Sequence, residues 1–140
     1  VGGIDIRGAV LIGNPGEREE SIQKTLEYSK KLGIQFATYN ITTPFPGTAL
    51  YDSAVTNGSL KHTAWSLYDL AHPVLELQTV SSEVIQDYYY RAYKEFYFRP
   101  VYILQRLFSM RTKDEIKAYI KAFTGILLML ARRKIGKNVQ

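Results

Sequence analysis

The spacing of apolar residues changes along the chain, and each change marks an element. Residues 4–13 end in Ala9-Val10-Leu11-Ile12, a nearly continuous apolar run of the kind found in parallel strands buried on both faces. Gly13-Asn14-Pro15-Gly16 breaks the run sharply. Ile22, Leu26 and Leu32, with Tyr28 or Ser29 beside them, then draw a stripe at helical spacing and predict a helix from about Arg18 to Leu32. Glu17, Glu19 and Glu20 suit the positive end of its dipole, and Lys30 and Lys31 the negative end. Gly33 is placed to end it as the C′ residue. Residues 34–42 read as a second strand carried by Ile34, Phe36, Tyr39 and Ile41. Strand, helix and strand in this order form a βαβ unit, which is right-handed with parallel strands.

Thr43-Pro44-Phe45-Pro46-Gly47-Thr48 is a stiff loop, because two prolines fix φ and remove donors. Thr48 can cap a short helix from Ala49 to about Thr56, which Asn57-Gly58 ends. Residues 59–80 show no period, although Val74-Leu75-Glu76-Leu77 reads as a short strand. From Ser81 onward the spacing is helical. Val84, Ile85, Tyr88, Tyr89, Ala92, Tyr93, Phe96 and Tyr97 form a broad aromatic face, and Tyr90, off that face, is expected to be exposed. Arg99-Pro100 ends this helix and starts another, running to about Phe108. Thr112-Lys113-Asp114-Glu115 is a capping box opening a last helix, with Ile116, Tyr119, Ile120, Phe123, Leu127 and Leu130 on one stripe. The fold class expected is α/β followed by all-α, with an α/β part at residues 1–80 and a helical extension at 81–140. Two parallel strands do not make a stable sheet by themselves. Further strands are therefore expected from a longer chain, or from a second copy that pairs with the exposed strand edges to form a homodimer.

Composition narrows the chemistry. The chain of 140 residues contains no cysteine, which excludes disulfides, thiolate metal sites and a cysteine nucleophile within it. That composition also fits a reducing, cytoplasmic compartment. The two histidines, His62 and His72, make a poor metal site without further ligands and read as loop or surface residues. The net charge of +5 owes much to Arg132-Arg133-Lys134 and Lys137, which read as a solvated tail. Nucleic acid is not an expected partner and membrane association is not expected, since the longest apolar run, Phe123 to Ala131, is too short to span a bilayer. The chain opens on Val1 without an initiator Met or a secretory signal, and is expected to be a piece of a longer enzyme.

The candidate ligand edge is where the two strands end. Parallel sheets bind ligands outside the carboxyl ends of their strands, and glycine there allows close approach to the backbone. Gly13-Asn14-Pro15-Gly16-Glu17 and Thr43-Pro44-Phe45-Pro46-Gly47-Thr48 both lie on that edge. The first reads more readily as a tight turn without a ligand, and the second equally as a stiff connector. The first is not a phosphate loop, because it lacks the Gly-Lys-Ser/Thr ending. The run Tyr88-Tyr89-Tyr90-Arg91-Ala92-Tyr93 can stack on bases, or can pack helices together. No nucleophile, base and orienting acid occur in a convincing set.

The succession GAVLIGNPGEREESIQKTLEYSKKLG, TPFPGTALYDSAVTNG, AWSLYDLAHPVLE and YRAYKEFYFRPVYILQRL resembles the C-terminal half of radical S-adenosylmethionine enzymes. It is most similar to those with an N-terminal cobalamin-binding domain, such as anaerobic magnesium-protoporphyrin IX monomethyl ester cyclases. The resemblance implies a truncated (β/α) barrel, with residues 1–80 as the end of the barrel and 81–140 as a helical cap. It implies a 4Fe–4S cluster held upstream by a Cys-x3-Cys-x2-Cys loop and S-adenosylmethionine as cofactor, and leaves the use of cobalamin open. Leu11, Ile12 and Gly13 would line the adenine site, with Thr43 and Pro44 near the nucleoside. The family usually has Thr where Arg18 stands, so the helix loses its expected cap. The implied parent cleaves S-adenosylmethionine reductively to a 5′-deoxyadenosyl radical, in a cyclase-like or methyltransferase-like reaction on a tetrapyrrole or other small molecule. Its partners would be the upstream barrel and cluster-binding region, and the piece alone would be inactive. The alternative is a helical module that engages a protein or membrane surface without catalysis.

Overall fold

A computed structural model describes residues 6–110 and 112–137, with side chains described as far as Arg132. Ile4 and Asp5 of the expected first strand, and the side chains of Arg133, Lys134 and Lys137, lie outside the described residues. The chain divides into two compact units, residues 1–92 and 93–140.

The first unit is built on the expected βαβ. Strand β1 (Arg7–Ile12) and strand β2 (Phe36–Ile41) pair in parallel, with Arg7 opposite Phe36 and Ile12 opposite Ile41. Helix α1 (Glu19–Lys31) connects them and packs on one face. There Ile12, Ile22, Leu26, Ala37, Tyr39 and Ile41 are almost fully buried. Each large side chain among them stabilises the unit by roughly 1.5–3 kcal/mol. Ser29 of α1 joins this core, and its hydroxyl lies 2.8 Å from the Tyr39 hydroxyl. The α1 stripe is narrower than its spacing suggests, since Tyr28 and Leu32 are exposed.

The expectation that β1 is buried on both faces is overturned. Its residues alternate, with Arg7, Ala9 and Leu11 exposed. The reason is the layer count: α1 covers one face, and the face bearing Arg7 and Leu11 is open among the described residues. The Arg7 guanidinium there lies 5.3 Å from the centre of the Phe36 ring. Arg18 supplies no side-chain cap to α1, as expected, but its N–H donates to the Ser21 hydroxyl at 3.0 Å.

Helix α2 (Ala49–Thr56) is capped as its sequence predicts: the Thr48 hydroxyl accepts the Tyr51 N–H at 3.2 Å. The Val74–Leu77 strand shrinks to one antiparallel bridge between Leu60 and Leu75. Two backbone bonds of 2.8 Å flank it, Lys61 N–H to Val74 and Glu76 N–H to Ser59. Helix α3 (Ser82–Tyr97) begins with Ser81 as its cap and buries Ile85, Tyr89 and Ala92 in this unit. Tyr90 is half-buried rather than exposed, because its ring meets that of Tyr89 edge-on at 5.4 Å.

The second unit holds the end of α3, helix α4 (Pro100–Ser109) and helix α5 (Lys113–Lys137). Phe96, Tyr97 and Tyr102 pack ring against ring at 5.0–5.5 Å. Arg99 lies 4.6 Å from the centre of the Phe96 ring and donates through Nε to the Phe96 carbonyl. Burial pushes the Tyr102 phenol well above its usual range. The α5 capping box is present: Thr112 Oγ1 accepts the Glu115 N–H at 3.2 Å, and Glu115 accepts the Thr112 N–H at 3.3 Å. Its apolar stripe is not a buried seam, however, since Ile116, Ile120 and Leu127 are exposed. No helix among the described residues is long and apolar enough to cross a membrane.

The candidate ligand edge

Gly13, at the end of β1, has φ +80°, a backbone conformation that a side chain would oppose. Its N–H and that of Asn14 both donate to Glu17 Oε2, at 2.7 and 3.0 Å. The chain's own carboxylate therefore fills the small cradle of donors that a phosphate would need. The Thr79 hydroxyl donates to the Glu17 carbonyl and ties this turn to the segment before α3. Across the edge, Thr42 N–H donates to the Ile12 carbonyl at 2.8 Å, and the Thr42 hydroxyl donates to Asn14 Oδ1 at 2.9 Å. The loops after both strands thus form one hydrogen-bonded end.

The five residues assigned to the cofactor by resemblance lie at this end with different exposures. Leu11 projects from the open face, 52% exposed. Ile12 and Pro44 are fully buried, and Gly13 is buried beneath the turn. Thr43 is half-buried and spends its hydroxyl on the Ile41 carbonyl at 3.1 Å. Among these, Leu11 is the side chain that can touch a ligand on the open face.

Residues 59–80 bring chemistry that the spacing of apolar residues hid. Ile41 N–H donates at 2.7 Å to the carbonyl of Leu70, so this segment is fastened to the far edge of β2. Leu70 itself has φ +63°, the left-handed region that a bulky residue resists. Next to it, the Asp69 carboxylate accepts the N–H groups of Ala71 and His72 and lies 2.9 Å from His72 Nδ1. Burial works against that carboxylate, but the Ala71 and His72 hydrogen bonds outweigh it and hold its pKa below the ordinary value. Lys61 is raised, chiefly by its hydrogen bond with Glu76, 3.0 Å away. A pocket of about 280 Å³ lies here, with His62, Leu67, His72 and Gln86 in its lining. No group of three or more His, Asp or Glu residues that could hold a metal occurs among the described residues.

An aromatic cluster stands beside this pocket. Trp65 opens a one-turn 3₁₀ helix (Trp65–Leu67) and lies 5.2 Å from Tyr68, whose ring meets Phe45 edge-on at 5.9 Å. Trp65 and Tyr68 stand three residues apart, a spacing that aligns side chains on such a turn. That spacing and the Glu17 position, four residues after Gly13, were the available signals.

Known proteins share this stretch of sequence. An uncharacterized methyltransferase of Pyrococcus horikoshii is 36% identical over 107 residues, 76% of this chain. Two enzymes of Chlorobaculum tepidum also match: bacteriochlorophyllide d C-12(1)-methyltransferase, 27% identical over 67% of this chain, and bacteriochlorophyllide d C-8(2)-methyltransferase, 24% identical over 86%. These relatives are methyltransferases. The chain spans 23%, 20% and 29% of their respective lengths, about a quarter. No protein-family model matches it.

Proposed function

We propose that this chain is part of a radical S-adenosylmethionine methyltransferase whose substrate is a tetrapyrrole-class ring. The observation that carries the reading is the joined carboxyl end of two parallel strands, in a chain whose relatives are methyltransferases. That relationship favours methyl transfer over the cyclase subtype. The ring is suggested by the bacteriochlorophyllide named for two of the relatives.

The residues present fit part of the machinery. With no cysteine, they cannot ligate an iron–sulfur cluster, which the reading places in a longer chain together with any cobalamin. S-adenosylmethionine, when bound, supplies the methyl group and the reductively cleaved bond. Toward it this chain offers the Leu11 side chain as an apolar wall for the adenine. Ile12, Gly13 and Pro44 are buried at the same strand end. A longer protein containing this chain, kept anaerobic and reduced with a chlorin substrate, should form 5′-deoxyadenosine and S-adenosylhomocysteine. Leu11→Asp should cut both at least tenfold. No product derived from S-adenosylmethionine in the unmodified protein would sink the reading.

The second unit carries a second reading, a helical surface that engages a partner. Val101, Leu104, Leu107 and Phe108 of α4 are all more than half exposed. Salt-sensitive co-sedimentation of the chain with anionic vesicles would support this reading, and its absence would remove the membrane version.

A further inference from the structure

We infer that Phe45, Trp65 and Tyr68 form an aromatic wall, offering ring faces and ring edges, for a flat conjugated macrocycle at the carboxyl end of the sheet. The inference rests on the ring substrate proposed above and assigns the residues that hold it.

Aromatic side chains that cluster usually do so to leave water. Here the cluster stays wet: Trp65 is 70% exposed and Phe45 41%. Three rings from two separate loops meet through Tyr68, at 5.2 and 5.9 Å and tilted by 46° and 62°, so a flat ring that stacks on one meets the others at their edges. Ring faces left in solvent bind other ring faces, and polar substituents around a macrocycle's rim require polar neighbours. The pocket formed by the same segment supplies these, with His62 and His72 in its lining.

The wall is also held in place. The Tyr68 hydroxyl donates to the His62 carbonyl at 3.2 Å, and the Thr48 hydroxyl donates to the Phe45 carbonyl at 2.7 Å. Leu70, two residues after Tyr68, keeps its left-handed backbone while its carbonyl accepts the Ile41 N–H. Backbone strain of this kind persists where the surroundings over-determine it, and it gathers at ligand sites. The segment is therefore anchored to the strand end, on the edge where parallel sheets take their ligands.

Trp65 is the single tryptophan, so the chain carries its own probe. Titration with chlorin e6 should quench Trp65 fluorescence and shift the visible absorption of the chlorin. Read by that absorption, Trp65→Leu and Phe45→Ala should each weaken binding roughly tenfold, as loss of one stacked aromatic does. Phe108→Ala should leave it unchanged, although Phe108 is 86% exposed in the other unit. Circular dichroism should show each variant folded, because none of the altered side chains belongs to the buried core. Equal loss in Phe108→Ala, unchanged binding in both wall variants, or preference for adenosine over the chlorin would overturn the wall. In the longer protein the two readings separate. Trp65-dependent ring binding without any product from S-adenosylmethionine upholds the wall and overturns the function. Methyl transfer with ring binding untouched by Trp65→Leu upholds the function and overturns the wall.

Discussion

Gly13 and Gly16 occupy one turn and share one backbone conformation, with φ +80° and +84°, yet alanine should be tolerated very differently at the two. At Gly16 a new Cβ meets nothing within 4 Å. The penalty there is the left-handed backbone, about 1–2 kcal/mol. The stiffer unfolded chain offsets roughly 0.4–1 kcal/mol of it. At Gly13 the Cβ would lie 3.2 Å from Ile85 Cγ2 and 3.5 Å from its Cδ1. Carbon pairs prefer about 3.5–4.0 Å, so the nearer contact is repulsive. Ile85 is 1% exposed, so it would have to shift within the core. Overpacking of that kind adds about 1–3 kcal/mol. Urea unfolding followed by Trp65 fluorescence reports on the unit that contains both glycines. With a slope of about 1–3 kcal/mol per molar, the Gly13→Ala midpoint should fall about 1 M below that of Gly16→Ala. Equal midpoints would show that Ile85 does not press on the end of β1, and the packing that supports the ligand edge would have to be redrawn.

Ser29 donates its one hydroxyl proton to the Leu26 carbonyl at 2.7 Å, so the Tyr39 hydroxyl must be the donor in the buried pair between them. A double-mutant cycle of Ser29→Ala and Tyr39→Phe should give a coupling energy of about 1 kcal/mol, and additive effects would mean the bond is not made. Asp69 is held below its ordinary pKa, so its contribution to stability is complete above the usual carboxylate range near pH 4 and disappears as pH falls through the lowered value. His72→Ala removes one of its hydrogen bonds and should move its NMR-monitored titration to higher pH; an unmoved titration would refute the pairing. Thr112→Ala should destabilise the start of α5 by about 1 kcal/mol, seen as faster amide exchange in its first turn, and unchanged exchange would show the cap to be idle.

The parts of this fold that were legible are those set by neighbours in sequence. The period of Ile22 and Leu26, the stops at Gly33 and Gly58 and the caps at Thr48 and Thr112 each act within a few residues, so they can be read without knowing what lies opposite. The sidedness of β1 could not be read this way. Ala9-Val10-Leu11-Ile12 is apolar throughout, and only the number of covering layers decides that Ile12 is buried while Leu11 is exposed. The α5 stripe is the same case, because spacing shows that Ile116, Ile120 and Leu127 share a face but not that a neighbour covers it. Residues 59–80 looked irregular because their order is long-range. The bonds Ile41 to Leu70 and Lys61 to Val74 leave no period in the sequence, and those bonds place Trp65 and His72.

The hydrogen bonds at the end of the sheet also constrain which ligand it can take. The N–H groups of Gly13 and Asn14 are committed to Glu17, that of Thr42 to Ile12, and that of Ile41 to Leu70. A ligand that depended on main-chain donors, as a phosphate does, would have to displace an internal carboxylate before it could bind. What the edge offers instead is apolar and aromatic: the Leu11 side chain on the open face and the exposed rings of Phe45 and Trp65. Such surfaces select by shape and by stacking. They suit a nucleoside base and a conjugated ring better than a phosphorylated substrate.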